Sequence, residues 1–431
     1  MKKNKMQTKM INGVLYDENG DAVFTLENKK DYKILIPTML PIHFSLIQKI
    51  LNTFGYDAEV LDYRGGNVAQ TGLKFVHNDT CYPATLVIGE LMEAVLSGKY
   101  DTHKLAVVIS QTGGGCRASN YLYLLKKALK KAGYGYIPVL SFNFNGLKTQ
   151  PGFEFSVGQF YSLLKCVLYG DFIMCLKNQC EPYEVKKGET ESLVKFWIDK
   201  LGKEFYDKKN LKYSKMKANF ELIAQSFAKI ERDTSVKKPK VGIVGEIFVK
   251  YSPLGNNDLE KFLVQEDAEV VVPGLTDFVL YCIYNNVIDT MLYGVRKIIA
   301  LGSKMIYKFI LKKEKDMARI IAENSDFSPM STFDKTIESR EGYISEGVKM
   351  GEGWLLTAEM VELIHAGVTN IICAQPFGCL PNHIVGKGMM KELRERNPKA
   401  NIIAIDYDAS ATRVNQENRI KLMLANAKEE L

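Results

Sequence analysis

The sequence predicts an α/β protein: two Rossmann-like, doubly wound lobes, a helical connector between them, and an N-terminal β-hairpin. Three observations predict this. Short runs rich in Val, Ile and Leu alternate with helix-period segments over residues 33–140 and again over 241–425. Residues 157–232 between them are helical in pattern almost throughout. Asn19-Gly20, set between two short apolar runs in residues 13–26, is a strong hairpin signal, because a type I′ turn needs positive φ at both central positions. The expected divisions are 1–31 for the hairpin extension, 32–156 for the first lobe, 157–235 for the connector and 236–431 for the second lobe.

In chain order, Lys33-Ile34-Leu35-Ile36 reads as a buried strand, and Leu46, Ile47, Ile50, Leu51 and Phe54 have helical spacing up to a stop at Gly55. Residues 57–61 and 105–109 read as the next strands, and 136–140 as a fourth. Pro83 suits the first turn of a helix through 96, and a further helix is expected from Ser119 to about Lys131. The connector is expected to break near Gly170 and Gly188. The basic, proline-containing stretch 235–240 precedes a second α/β pattern. Its expected parts are strands at 241–245, 268–272, 368–372 and 402–405, helices near 257–264, 292–323, 354–364 and 384–396, and a last helix from about Ala411.

The chain has 431 residues, 46% of them hydrophobic and 25% charged, with a net charge of +7. That composition excludes an intrinsically disordered chain, and the charge is too small for its length to indicate nucleic-acid binding by itself. No apolar stretch approaches ~18 uncharged residues, so no membrane span is expected. Met1-Lys2-Lys3-Asn4-Lys5 is basic but is followed by no hydrophobic region, which argues against a signal peptide. A cytoplasmic location is expected. In a reducing compartment the eight cysteines point to metal ligation or catalysis more than to disulfides.

Four cysteines share one context. Cys81 and Cys116 fall in turns before helices, Cys373 is expected to end a strand, and Cys379 follows it across Pro376 and Gly378, before the next helix. Ligands of open α/β sheets bind at the carboxyl ends of strands. Helix N-termini favour the thiolate that binds metal. Gly113, Gly114 and Gly115 would let the backbone approach a bulky inorganic group. Each thiol taken singly is as readily plain core. Zinc usually takes paired ligands at C-x₂₋₄-C spacing, which these four lack, so scattered thiols from several loops fit an iron–sulfur cluster better. Cys166, Cys175, Cys180 and Cys282 read as core, with Cys175 and Cys180 as further ligands if the cluster is large. His77 and His383 lie within a few residues of candidate ligands, and Arg117 is next to Cys116, so all three are candidates to support the site. No G-x-x-x-x-G-K-[ST] loop and no G-x-S-x-G elbow is present. Gly113, Gly115 and Ala118 meet only the loose G-x-G-x-x-A form, without an acidic residue ~20 positions on.

The segments 78–84 (Asn78-Asp79-Thr80-Cys81-Tyr82-Pro83-Ala84), 111–121 around Cys116, 351–356 (Gly351-Glu352-Gly353-Trp354-Leu355-Leu356) and 373–383 resemble the 2-hydroxyacyl-CoA dehydratase superfamily. Within it the similarity is to the branch fused elsewhere to an acyl-CoA dehydratase activase, and to double-cubane cluster proteins. The resemblance covers roughly residues 32–425. It implies a cubane cluster between two lobes, 4Fe-4S or a larger double-cubane type, reduced by a separate ATP-hydrolysing activase. It maps the dehydratase ligands onto Cys81, Cys116 and Cys373. Cys379 is an additional thiol that could fill the iron position dehydratases leave open, which sets acyl-CoA dehydration itself in question.

Three expectations follow. The first is a redox enzyme, a reductase or dehydratase-like, that uses low-potential electrons from the activase on a difficult small-molecule substrate. The second is a non-enzymatic relay or scaffold carrying a fully ligated cluster and docking the activase. The third is a zinc-binding or purely structural α/β protein. A homodimer is expected, with the N-terminal hairpin as the suggested contact.

Overall fold

The computed structural model describes residues 8–63, 67–111, 115–141, 150–207 and 212–429. It divides into two compact units, Met1–Leu163 and Leu164–Leu431. The division falls inside the helix Val157–Cys180, and the remaining helices of the expected connector group with the second unit.

Each unit is built on a four-stranded, all-parallel sheet. In the first, β3 (Lys33–Ile36), β4 (Asp57–Val60), β5 (Leu105–Val108) and β6 (Val139–Leu140) lie in the order β4-β3-β5-β6. In the second, β7 (Lys240–Gly245), β8 (Glu269–Val271), β9 (Asn370–Pro376) and β10 (Asn401–Tyr407) lie in the order β8-β7-β9-β10. The two orders are the same plan, 2-1-3-4, with a switch point between the first and third strands of each sheet. Helices cover the sheets, and the β strands are buried nearly throughout, as parallel strands between two helical layers must be. This is the two-lobed α/β architecture expected from the alternating pattern.

The hairpin is present, one turn earlier than expected. β1 (Thr8–Ile11) and β2 (Val14–Asp17) pair antiparallel around Asn12-Gly13, whose φ values are 48° and 78°. Both central residues are thus left-handed, as type I′ requires. Asn19-Gly20 forms a second turn, closed by Gly20 N–H to Asp17 O and an isolated bridge between Tyr16 and Ala22. Two I′ signals seven residues apart compete, and the one with pairable residues on both sides makes the ladder. The chain after this turn is anchored in the first unit. Asp21 accepts from Lys126 at 2.8 Å and Lys130 at 2.9 Å, and Phe24 is buried in the core with Ile34, Ile36 and Tyr56.

Other differences are local. Gly170 does not break its helix, which runs unbroken from Val157 to Cys180. By length and composition Val157–Tyr183 would serve to cross a membrane, but its apolar window is 67% buried within the protein, as a core helix is. The section expected at 292–323 is the second arm of a helical hairpin, Leu275–Tyr293 and Lys297–Asn324, turned at Gly294 (φ 68°). The expected helix at 384–396 begins as tighter and wider turns at 382–389 and is α-helical only over Met390–Arg396. Cys282, expected in the core, is on the exposed side of its helix.

Helix Tyr82–Leu96, which Cys81 precedes, packs on helix Val68–Phe75 with almost no gap. A Cβ on Gly72 would stand 2.1 Å from Thr85 O, and one on Gly89 2.2 Å from Val68 O. Helix propensity alone favours Gly89→Ala by about 1 kcal/mol. The backbone clash outweighs it, so Gly89→Ala should destabilise by ~1–3 kcal/mol in urea unfolding. A neutral or stabilising change would show that the two helices are not this close.

Candidate functional site

In the first unit, Cys81 occupies the N-cap position of helix Tyr82–Leu96 in extended backbone conformation (φ −58°, ψ 146°), with Pro83 in the first turn. Proline fits there because the first N–H groups of a helix have no intrahelical partner. The thiol is buried, and its Sγ lies 3.1 Å from the Tyr121 hydroxyl. Tyr121 opens the helix Tyr121–Lys131 that leads directly away from the Cys116 turn, so the two cysteine segments of this unit are joined by a polar contact. Cys116 is half-buried and caps the 3₁₀ turn Arg117–Asn120. Its carbonyl accepts from Ser119 N–H at 3.1 Å and Ser119 Oγ at 2.7 Å, and Gln111 Nε2 donates to Ser119 O. Gly113 and Gly114 lie outside the described residues, whereas Gly115 is described and exposed. Arg117 is also exposed. His77 lies in an exposed turn with Nδ1 3.2 Å from Asp79 Oδ2, and its carbonyl accepts from Thr80 N–H one residue before Cys81.

In the second unit, β9 extends three residues past Cys373, pairing with β10 as far as Pro376 and Tyr407. Cys373 is therefore inside the strand, not at its end. Its side chain is fully buried among Val244, Val361, Leu393 and Ile402. Its Sγ is 3.7 Å from Asn382 Oδ1, and a Cβ on Gly386 would stand 3.1 Å from it. Burial pushes this thiol up to about 12, with the negative charges of Asp406 and Glu359 adding to the effect. Cys379 follows the strand after the turn at Gly378 (φ 72°), buried at the start of the next helical segment. Cys379 O accepts from His383 N–H at 3.1 Å, and Gln375 Nε2 lies 2.5 Å from His383 Nδ1. Asn382 Nδ2 donates to Ala374 O, holding the returning chain against the strand.

Cys81 and Cys116 thus belong to one unit and Cys373 and Cys379 to the other. Cys116 follows the third strand of its sheet, as Cys379 does in the second sheet. Among the described residues, no three Cys, His, Asp or Glu side chains stand grouped to hold a metal ion. By donor chemistry, the setting of Cys81 fits a thiolate ligand of an iron–sulfur cluster: the thiol lies at a helix N-terminus, whose free N–H groups favour bound thiolate. Cys166, Cys175 and Cys180 have raised thiols owing to burial, and two accept local hydrogen bonds, Cys175 from Gln179 and Cys180 from Thr190.

Sequence reasoning missed a set of buried charges beside these loops. Glu246, directly after β7, accepts from Val249 N–H at 2.9 Å, while Glu352 of the Gly351–Gly353 segment accepts from Ile247 N–H at 3.0 Å. Burial and then the nearby Glu352 charge push the Glu246 carboxyl up to about 8. Lys250 and Glu359 form a buried ion pair at 2.9 Å, and Glu359 is raised by burial against the opposing pull of Lys250. The Gly351–Gly353 segment supplies the geometry: Gly353 has φ 47°, and a Cβ there would stand 2.3 Å from Val348 O. Of these residues, only Glu352 lay in a segment that the sequence analysis had singled out, 351–356.

Glu90 is another buried acid, on the helix that Cys81 caps. Burial raises it from 4.5 to about 8 against the opposing pull of the Tyr63 and Thr38 backbone N–H groups. The signal that could have found it is a charge in an otherwise apolar helical run.

A folded value above the unfolded one means that the native state holds the neutral acid. Glu90 therefore favours folding fully below pH ~4.5, and that contribution is lost as pH rises through about 8. Glu90→Gln should remove this loss. The variant should gain on the wild type by about 1.4 kcal/mol per pH unit across that window, read from urea unfolding at several pH values. Parallel stability curves would disprove it. No family model matches this chain, and no curated protein matches it.

Proposed function

We propose that this chain is an iron–sulfur protein, reduced by an ATP-dependent partner and acting on a small-molecule substrate. The observation that carries the reading is the setting of Cys81: a buried thiol at a helix N-terminus with a tyrosine hydroxyl 3.1 Å from its sulfur. The resemblance of the segments at 78–84, 111–121 and 373–383 to the 2-hydroxyacyl-CoA dehydratase superfamily supports the same reading. A bound cluster would supply one-electron chemistry at low potential.

The residues of this chain would act as follows. As the resemblance implies, Cys81, Cys116 and Cys373 would hold the cluster as thiolates with Cys379 as an additional thiol, and the Tyr121 hydroxyl would donate to Cys81 Sγ. A hydrogen bond to a ligand sulfur favours the more negative, reduced state. Gln375 would orient the His383 ring, which could deliver a proton at the Cys379 loop. Glu246, held near neutrality by burial and Glu352, is a second group able to give up a proton in the physiological range.

The ligand count separates the enzymatic reading from the relay. Three thiolates at Cys81, Cys116 and Cys373 would leave one iron for substrate, whereas Cys379 as a fourth ligand would close the cluster and favour an electron relay docking the activase.

Anaerobic purification with iron and sulfide analysis and EPR tests the proposal. The wild type should contain iron and sulfide and gain an EPR signal on reduction. Cys81→Ser, Cys116→Ser and Cys373→Ser should lose most of the iron, and Cys379→Ala should keep it. A folded chain that stays iron-free after reconstitution would overturn the reading. Iron lost from Cys379→Ala as completely as from Cys81→Ser would move the balance to the closed cluster. Tyr121→Phe should keep its iron and lower the reduction potential, because the reduced cluster loses a donor; an unchanged potential would mean that the hydroxyl does not face a ligand sulfur.

A further inference from the structure

We propose that the tip of the helical hairpin made by Leu275–Tyr293 and Lys297–Asn324 is the surface through which two copies of this chain form a two-fold dimer. The two ends of the second helix differ sharply. Beyond Ile310 it is an ordinary core helix, with Met317, Ile320 and Ile321 buried. Before Ile310 only Ala300 and Ser303 are buried, while Ile298, Leu301 and Met305 are exposed by 89%, 65% and 69%. Ile299 and Ile306 are exposed as well, and so are Met291, Leu292 and Tyr293 on the first arm.

The size of this surface argues for an occupant. Eight large apolar side chains at such exposures present on the order of 100 Å² each, matching the ~800 Å² per partner of a standard interface. The largest apolar patch of a typical monomer is ~300–600 Å².

The pattern argues that the occupant is a second copy. A two-fold interface needs a face on which each residue meets its own counterpart position. Gly302 lies at the centre of the exposed stretch, and nothing stands within 4 Å of where its Cβ would be. Glycine is the least favourable residue, after proline, in an exposed helix interior, and it suits a place where another backbone comes close. An antiparallel crossing at Gly302 sets Ile298 against Ile306 and Ile299 against Met305 of the other copy. The apolar stripe is therefore self-complementary about this residue.

Charge gives the proposal a distinguishing sign. No acidic residue occurs between Asp289 and Glu314, whereas Arg296, Lys297, Lys304, Lys308 and Lys312 are exposed. In a dimer these cations flank the contact on both copies and repel, so added salt strengthens association by screening. An acidic partner or an anionic membrane bound at the same face would respond in the opposite direction.

Sedimentation equilibrium of the full chain, purified without oxygen, tests it. The wild type should run at twice 48.7 kDa at micromolar concentration, more completely at high salt. The double variant Ile298→Lys, Met305→Lys should run as a monomer with unchanged circular dichroism, since both side chains are exposed in the single chain. A wild type that stays monomeric would overturn the proposal, as would a dimer that persists in the double variant. Association that salt weakens, or a monomer that co-sediments with anionic vesicles, would overturn it too.

Discussion

The parallel direction of the strands is the constraint on which the rest of this protein depends. A parallel pair cannot be joined by a tight turn, so every strand is followed by a crossover that returns to the opposite edge. All loops leaving the carboxyl ends of a sheet therefore collect along one edge. In the first unit that edge receives the segment from β5 to Cys116, and in the second the segment from β9 to Cys379. The shared strand order places both segments after the third strand, next to the switch point.

The carboxyl edges also carry the costliest groups in the molecule. Lys250 and Glu359 are both almost fully buried, and an ion pair in that setting contributes little net stability while being expensive to break. Glu246 and Glu352 satisfy their oxygens with the N–H groups of a short helix after β7. Among the described residues, Glu90 completes no side-chain hydrogen bond. Apolar residues of similar volume would fold as well or better at such positions, so the acids point to use at the edge, not to stability. Gly245 shows how little room is left there: a Cβ would stand 2.2 Å from Ala374 O.

Much of the fold was legible because buried parallel strands read as short apolar runs, and the helices between them carry clear periodicity and stops such as Gly55. The failures have specific causes. The expected strand stopped at Ile372, yet β9 continues through Cys373 to Pro376, and the next N–H, that of Phe377, still bonds Tyr407 O. Gly170 looked like a break, but tertiary packing holds the helix through it. The hairpin was misplaced because Asn12-Gly13 and Asn19-Gly20 carry the same turn chemistry. Cys81, Cys116 and Cys379 were legible as thiols before helical segments, whereas Cys373 lies inside the strand it was expected to end. Tyr121 and Lys250 gave no signal, since their roles arise from contacts 40 and 109 residues away in sequence.

Asp171 carries a consequence for how the chain comes to be folded. Its carboxylate accepts from Leu275 N–H and Thr276 N–H, both at 2.8 Å, and so caps the first arm of the helical hairpin from 104 residues upstream. Contacts of such long separation form late, after the intervening chain has been ordered. Until then the hairpin lacks its anchor, and its many apolar side chains face water in a chain still being synthesised. Nascent molecules of this protein would accordingly pass through an aggregation-prone stage, one that a holdase chaperone would shorten.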